Sequence, residues 1–166
     1  MPEAALSIDV QGVEKLAEQA MQVPNAYEDE LTDLFDDYAF EIERTAKDNL
    51  DRSGKPGVDD GRLRSSVRYV VHDAFASFFR EGPFFVVFSR LAYAIYVHEG
   101  TGKYAREGEG RQTPWVYFDE KRGEFYTTEG IPPNPFLEDA FQKHKGPLLA
   151  DLKALNANIS SVTGSL

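Results

Sequence analysis

The stretch LAYAIYVHEGTGK, residues 91–103, decides the fold together with GIPPNPFLEDAF, residues 130–141. In the first segment, four side chains recur at helical spacing: Ala92, Ile95, Tyr96 and Glu99. Gly100 and Gly102 follow and supply the positive φ angles that end a helix and reverse the chain. The pattern therefore predicts one short buried helix with a sharp exit.

The second segment predicts the start of a further helix. Pro132, Pro133 and Pro135 favour an extended approach, because proline is tolerated in a first helical turn but not inside a helix. We expect a helix from Phe136 to about Leu155. Its apolar positions are Phe136, Ala140, Phe141, Leu148, Leu152 and Leu155.

Length and composition limit the class of protein. The 166 residues suit one domain with a real core, and 13% aromatic residues exceed what a disordered chain carries. The absence of cysteine excludes disulfides and thiolate metal sites. No apolar run reaches the length of a membrane span and the N-terminus lacks an export signal, so we expect a soluble chain.

The expected organisation is a single α+β domain over residues 1–155. A long N-terminal helix packs on a small, mainly antiparallel sheet, followed by an inserted hairpin and a C-terminal helix that Gly146-Pro147 kinks or splits. Residues 1–24 form a lead-in strand and short helix, and residues 104–130 form the inserted loop and hairpin. Residues 156–166 are small and polar, which is typical of a flexible tail.

The longest predicted helix begins after Pro24. Asn25 can cap it, with Glu28 completing a capping box. An apolar stripe follows at three- and four-residue steps. It consists of Tyr27, Leu31, Leu34, Phe35, Tyr38, Ile42, Ala46 and Leu50.

The opposite face of this helix is acidic. It carries Asp29, Glu30, Asp33, Asp36, Asp37, Glu41, Glu43 and Asp48 against Arg44 and Lys47. One interpretation is a solvated face, and the other is a surface that meets a basic partner or a DNA channel. Acid–base catalysis is not expected, because exposed acids on a helix have no burial to raise a pKa.

The sheet core is predicted as a hairpin. Residues 63–72 alternate as a strand does, and residues 84–89 form an apolar run typical of its buried partner. A short edge strand is expected near residues 6–10. The basic cluster Arg62, Arg64 and Arg68 would lie on the first hairpin strand, either as plain surface or as a salt-bridging contact with an acidic neighbour.

A second hairpin is predicted inside the insert. Trp115 and Tyr117 belong to one β-prone arm, residues 125–128 form the other, and a charged turn with Gly123 joins them. A lone two-stranded hairpin is marginal in water, so we expect something to cover its aromatic side chains.

Known catalytic and metal motifs do not fit. His98-Glu99 resembles the start of a zinc-protease helix, but Gly102 stands where the second histidine belongs. Tyr104 stands where a phosphate-binding loop needs serine or threonine after Lys103. The sequence therefore predicts no enzyme, no cofactor and no metal.

Three motifs carry a family resemblance. They are Tyr93-Ala94 through Gly100-Thr101-Gly102, Pro133-Asn134-Pro135-Phe136-Leu137, and Gly61-Arg62-Leu63-Arg64-Ser65-Ser66. In this order they resemble the gene-product-ten family of lambdoid long-tailed phages, whose members are called minor capsid, tail-component or tail-completion proteins. The resemblance covers roughly residues 26–150. The family pattern is Tyr-Ala-x-x-Val-Glu-x-Gly-Thr, whereas here His98 and Glu99 directly precede Gly100.

The resemblance implies a structural subunit of the virion neck, assembled in the host cytoplasm. Such a subunit forms a homo-oligomer, with a hexameric ring expected, between the portal-adaptor or head-completion protein and the tail terminator or tail tube. Genome DNA passes through without sequence-specific binding, which agrees with a net charge of −10. No membrane is involved. The alternative is a non-viral protein-binding module that uses the aromatic hairpin.

The resemblance also suggests where the ring contacts lie. The candidate interface residues are Arg62, Arg64, Arg68, Tyr93, Tyr96, Glu99, Gly100, Thr101, Gly102, Trp115, Tyr117, Pro133, Pro135 and Phe136. The acidic face, with Asp29, Asp33, Asp36, Asp37 and Glu41, is the candidate partner of the arginines. For Glu99 and Thr101 a local role remains open, in which Glu99 pairs nearby and Thr101 bonds the reversing backbone.

Overall fold

The computed structural model describes residues 6–8, 26–51, 61–72, 84–106, 108 and 110–163. In chain order its elements are β1 (Leu6–Ile8), α1 (Ala26–Asp51), α2 (Arg62–Ser66), β2 (Val67–His72), β3 (Phe84–Ser89), α3 (Ala94–Glu99), a 3₁₀ turn (Gly102–Tyr104), β4 (Trp115–Asp119), β5 (Glu124–Thr128) and α4 (Phe136–Thr163). This is the predicted α+β class. The predicted cap at Asn25, the short helix before Pro24, most of the loop at residues 51–61, and residues 74–83 lie outside the described residues.

Helix α1 forms because its apolar side chains recur on one face. The fully buried members are Leu31, Phe35, Ala39, Ile42, Ala46 and Leu50. The predicted stripe is thus confirmed over the described residues, with Ala39 added to it. Truncating a buried aromatic such as Phe35 to alanine typically costs about 3–5 kcal/mol.

The three-stranded sheet has the order β1-β3-β2 and is antiparallel throughout. Val67 pairs with Ser89, and His72 pairs with Phe84. The predicted sheet hairpin and its edge strand are confirmed. Along β3 the residues that face α1 are buried, and Phe85 meets Phe35 edge-on with ring centroids 5.5 Å apart.

Helix α2 corrects the prediction that a strand begins at residue 63. Gly61, at φ +69°, starts a helical turn, and its main-chain oxygen accepts a hydrogen bond from the Ser65 N–H at 2.9 Å. The Ser66 hydroxyl donates back to the main-chain oxygen of Leu63 at 2.7 Å. Leu63 and Val67 are both buried, so one apolar spacing suits a helical turn as well as a strand.

Helix α4 packs antiparallel against α1. Buried Ala140, Leu148 and Leu152 lie on its packed face. The helix continues through Pro147 to Thr163, so it is not split at Gly146-Pro147, and it extends beyond the predicted end at Leu155. Because proline has no N–H, the main-chain oxygen four residues earlier loses its helical hydrogen bond. Pro147 is exposed, so solvent can bond this oxygen instead.

Strands β4 and β5 form the predicted inserted hairpin, and each is one residue longer at the turn than predicted, because Asp119 and Glu124 also pair. Trp115 pairs with Thr128, and Asp119 pairs with Glu124. Gly123 has φ +72°, and its N–H donates to the main-chain oxygen of Asp119 at 2.7 Å. This closes the turn that the sequence predicts.

Candidate functional site

The chain leaves helix α3 through two glycines in left-handed backbone conformations, Gly100 at φ +75° and Gly102 at φ +60°. A Cβ atom at Gly100 would lie 2.8 Å from the main-chain oxygen of Ile131. One at Gly102 would overlap the main-chain oxygen of Glu129. Glycine is therefore needed at both positions for its backbone angle and for its size.

Two further glycines complete this close approach of main chains. A Cβ atom at Gly110 would overlap the main-chain oxygen of Gly102, and one at Gly130 would overlap that of Thr101. We call Gly100, Gly102, Gly110 and Gly130 the glycine crossing. At this point the chain entering the insert runs directly against the chain leaving it.

Hydrogen bonds join the two segments at the glycine crossing. The Thr101 N–H donates to the Ile131 oxygen at 2.9 Å, and the Ile131 N–H donates to the Thr101 hydroxyl at 3.0 Å. The Lys103 N–H donates to the Glu129 oxygen at 3.0 Å, and their side chains form an ion pair. The local role predicted for Thr101 is therefore confirmed, and its interface role stays a prediction.

Glu99 is paired within its own chain. Its carboxylate lies 2.7 Å from Nδ1 of His98 and 3.9 Å from the guanidinium of Arg106. Arg106 also contacts Glu138 at 2.6 Å, and this hydrogen bond lowers the pKa of Glu138 below its ordinary value. The local alternative for Glu99 is confirmed, and the cluster connects α3 with the first turn of α4.

His98 is a buried packing residue. Its ring meets Phe136 edge-on with centroids 5.5 Å apart, and Nε2 has no hydrogen-bond partner in the described structure. In the part of the chain that the structure describes, no group of three or more histidine, aspartate or glutamate side chains could hold a metal ion.

The proline segment docks on α3 through its main chain. The Asn134 N–H donates to the main-chain oxygen of Val97 at 2.8 Å, with half-buried Pro133 and Pro135 on either side. Phe136 is 0% exposed. Phe136 therefore belongs to the core, which corrects its assignment as an interface residue.

Helix α3 turns its aromatic side outward, contrary to the prediction of a buried helix. Tyr93, Ile95 and Tyr96 are exposed, and Tyr96 most of all at 60%. The buried residues are instead Ala94, Val97 and His98. The docked proline segment decides which side is buried, and helical spacing within one short helix does not reveal that contact.

The inserted hairpin exposes an apolar face. Val116, Phe118 and Phe125 lie on one side, since Phe118 pairs with Phe125 across the strands, and Phe125 is 74% exposed. Tyr117 and half-buried Trp115 lie on the other side. Among the described elements, the hairpin packs little on the helices or on the three-stranded sheet.

The predicted basic cluster is divided between two elements. Arg62 and Arg64 lie on α2, and Arg68 lies on β2. The Arg64 guanidinium contacts the Asp51 carboxylate of its own chain at 2.5 Å. The sequence predicted that all three arginines lie on one strand, and this is wrong. Two of them lie on α2, where one is paired with the end of α1, and the third lies on β2.

The acidic face of α1 is solvent-exposed at Asp29, Asp33, Asp36 and Asp37. Half-buried Glu41 pairs with Arg44 at 2.8 Å. Burial, followed by the charge and hydrogen bond of Asp36, raises the pKa of Tyr69 on β2 above its ordinary value. The solvated surface and the partner surface both stay predictions for this face.

Sequence reasoning missed one prominent residue of α1. Phe40 is 51% exposed and lies among the aspartates, opposite the buried stripe. A large aromatic at an outward helical position was the available signal.

Comparison with known proteins identifies no relative. No protein-family model, curated protein or solved structure matches the chain significantly. Across the described residues, no helix is both long enough and apolar enough to cross a membrane.

Proposed function

We propose that this chain is a structural, non-catalytic subunit of the neck of a tailed virus. In this proposal copies of the chain form a ring, six by family resemblance, around the DNA channel. The ring joins the portal-adaptor or head-completion protein to the tail terminator or tail tube. Assembly takes place in the host cytoplasm, and the mature location is the virion.

The observation that carries the proposal is the exposed apolar face of the hairpin. Val116, Phe118 and Phe125 leave a contiguous apolar patch in water. Contiguous apolar patches commonly mark protein–protein contacts, and an isolated two-stranded hairpin has little stability of its own. A subunit of a permanent assembly covers such a hairpin with its neighbour.

The anchoring of the hairpin supports the same function. Its base is held by the glycine crossing, and Arg106 contacts Glu138 at the start of α4. A hairpin that is fixed at its base and exposed along its strands suits rigid docking onto another subunit, because little conformational entropy is lost on binding.

The charge distribution supports passage of DNA without adhesion. The formal net charge is −10, and the exposed aspartates of α1 contribute much of it. Tight binding to the phosphate backbone requires lysine and arginine that displace counterions. An acidic channel wall would repel the duplex.

A non-viral protein-binding module is the second candidate. The other face of the hairpin favours it, because Tyr117 and Tyr126 lie side by side with ring centroids 6.1 Å apart and the Arg111 guanidinium sits 5.7 Å from the Trp115 ring. Aromatic and arginine side chains are typical anchors of protein interfaces.

The test is native mass spectrometry of the purified chain, alone and mixed with portal-adaptor or tail-tube protein from the same genome. We expect a ring, either directly or on mixing. A matched pair of variants, Phe125→Ser on the hairpin and Tyr96→Ser on α3, shows whether the hairpin carries the contact. A chain that stays monomeric with both partners contradicts the neck function, and capture of a peptide ligand by that monomer would favour the second candidate.

A further inference from the structure

Phe40 forms the centre of a surface with an acidic rim. Its ring is 51% exposed in the middle of α1, and Asp33, Asp36 and Asp37 around it are exposed. Aromatic residues in a charged surround are frequent binding anchors, because the apolar centre is desolvated while the rim selects the partner by charge. The complementary surface must therefore have an apolar centre and a basic rim.

The outer face of the three-stranded sheet has this composition. Val70 on β2 is 39% exposed and pairs with half-buried Val86 on β3. Exposed Arg68 pairs with Phe88, and the Arg90 guanidinium lies 5.6 Å from the centre of the Phe88 ring. Two arginines thus border an apolar patch.

The two surfaces lie on the two sides of β2: Asp36 contacts Tyr69 on the inner face, and Val70 next to it points to the outer face. Helix α1 packs on the inner face of the sheet, where Phe35 meets Phe85, whereas Val70 points to the outer face. Phe40 points away from the buried stripe of α1. Strand β2 therefore separates Phe40 from Val70 within one copy, and a contact between these two residues requires two copies.

We infer that Phe40 of one copy docks on the outer sheet face of a second copy, with the acidic rim of the first facing Arg68 and Arg90 of the second. The contact is heterologous, joining two different patches, so successive copies build a ring or an open chain. This inference deepens the proposed function, on which it rests for the meeting of copies, and it replaces the divided arginine cluster with Arg68 and Arg90 as the basic side.

Two variants test the contact, and each damages one side of it. Phe40→Glu removes the apolar anchor, and Val70→Glu places a carboxylate against the acidic rim. Each variant alone should weaken self-association, measured by sedimentation velocity at rising concentration, by about tenfold or more. An equimolar mixture should recover a one-to-one dimer and nothing larger, because one intact Phe40 surface and one intact sheet surface remain.

Ile131→Glu is the matched control, since Ile131 is an exposed apolar residue outside both surfaces and should not alter this contact. Circular dichroism and thermal unfolding confirm that each variant is folded. The inference is overturned if either variant self-associates like wild type, if the mixture stays monomeric, or if the wild type is monomeric at millimolar concentration. Complementation without binding to neck proteins would contradict the proposed function alone, and neck binding unaffected by either variant would contradict the inference alone.

Discussion

The side-chain amide of Asn49 donates a hydrogen bond of 3.1 Å to the main-chain oxygen of Phe136. Both residues are buried, and the bond joins the end of α1 to the first residue of α4. Two more contacts continue along the same pair of helices, from Thr45 to His144 at 2.8 Å and from the Tyr38 hydroxyl to Asp151 at 2.6 Å. Three polar pairs thus join α1 and α4 along their length, in addition to their apolar contact.

Replacing Asn49 by alanine should destabilise the fold. The change removes the donor and leaves a buried main-chain oxygen without it, which costs about 1–3 kcal/mol. Urea unfolding measures the free energy difference. Gln142→Ala, at an exposed position of α4, is the control and should change little. Equal urea midpoints for the two variants would show that the Asn49–Phe136 hydrogen bond makes no net contribution to the free energy of unfolding.

Replacing Gly102 by alanine should be more costly than replacing Gly123. Both have positive φ angles, but a Cβ atom at Gly123 meets no atom within 4 Å. Gly123→Ala should cost about 1 kcal/mol from the backbone angle, and Gly102→Ala about 2–4 kcal/mol because overlap with Glu129 is added. Thermal unfolding of both variants compares them. Similar losses would mean that the glycine crossing relaxes freely.

Stability should fall at alkaline pH through Tyr38. Burial, with the hydrogen bond to Asp151, raises the pKa of Tyr38 from 10.0 to about 12. As pH rises, Tyr38 ionises in the unfolded chain before it ionises in the folded chain. The stabilisation by protonated Tyr38 is therefore fully present below pH 10 and is lost as the pH rises towards 12. Unfolding free energies of wild type and Tyr38→Phe, measured across this window, should converge as pH rises. Phe118→Leu, on the exposed hairpin, is the control and should leave the pH profile of the wild type unchanged.

Stability should also fall at mildly acidic pH through His144. Burial, aided by Lys143 and Arg44, lowers the pKa of His144 below 6.5. The unfolded chain then binds the proton more readily than the folded one, so stability is complete above pH 6.5 and declines below it. His144→Gln should remove this part of the slope in an unfolding series. Gln142→Ala, at an exposed position of the same helix, is the comparison, and a slope reduced equally in both variants would contradict the assignment.

Phe125→Ser should separate stability from assembly. The residue is 74% exposed, so the free energy of unfolding should change by less than about 0.5 kcal/mol. Binding to neck proteins should nevertheless be lost, because the variant breaks the apolar face of the hairpin. Chemical unfolding and native mass spectrometry on the same sample give both quantities. If the variant still binds neck proteins, the apolar face of the hairpin is not the contact surface.

The long elements were predictable because their patterns repeat over many residues. The stripe of α1, the sheet hairpin and the hairpin of β4 and β5 follow from periodicity and turn residues. The glycines at positions 100 and 102 were also identified from sequence, although what lies against them was not.

The errors arise where one pattern fits two local structures, or where distant contacts overrule local preference. Leu63 and Val67 fit either a strand or a helical turn, and the turn at Gly61 selects the helix. Leu148 and Leu152 are buried beyond Pro147, so packing on α1 keeps the helix continuous where local rules predict a break. The division of the arginines followed from the first of these errors.

The glycine crossing divides the chain into two regions with different freedom to vary. At the base of the insert, Arg106 forms ion pairs with Glu99 of α3 and Glu138 of α4, and these contacts hold the insert on the two helices. At the hairpin tip, the turn at Gly123 has open space around it. We therefore expect the hairpin tip to accept grafted sequences while the four glycines stay constant, so that one scaffold can be refitted to a new neighbour by exchanging its arm.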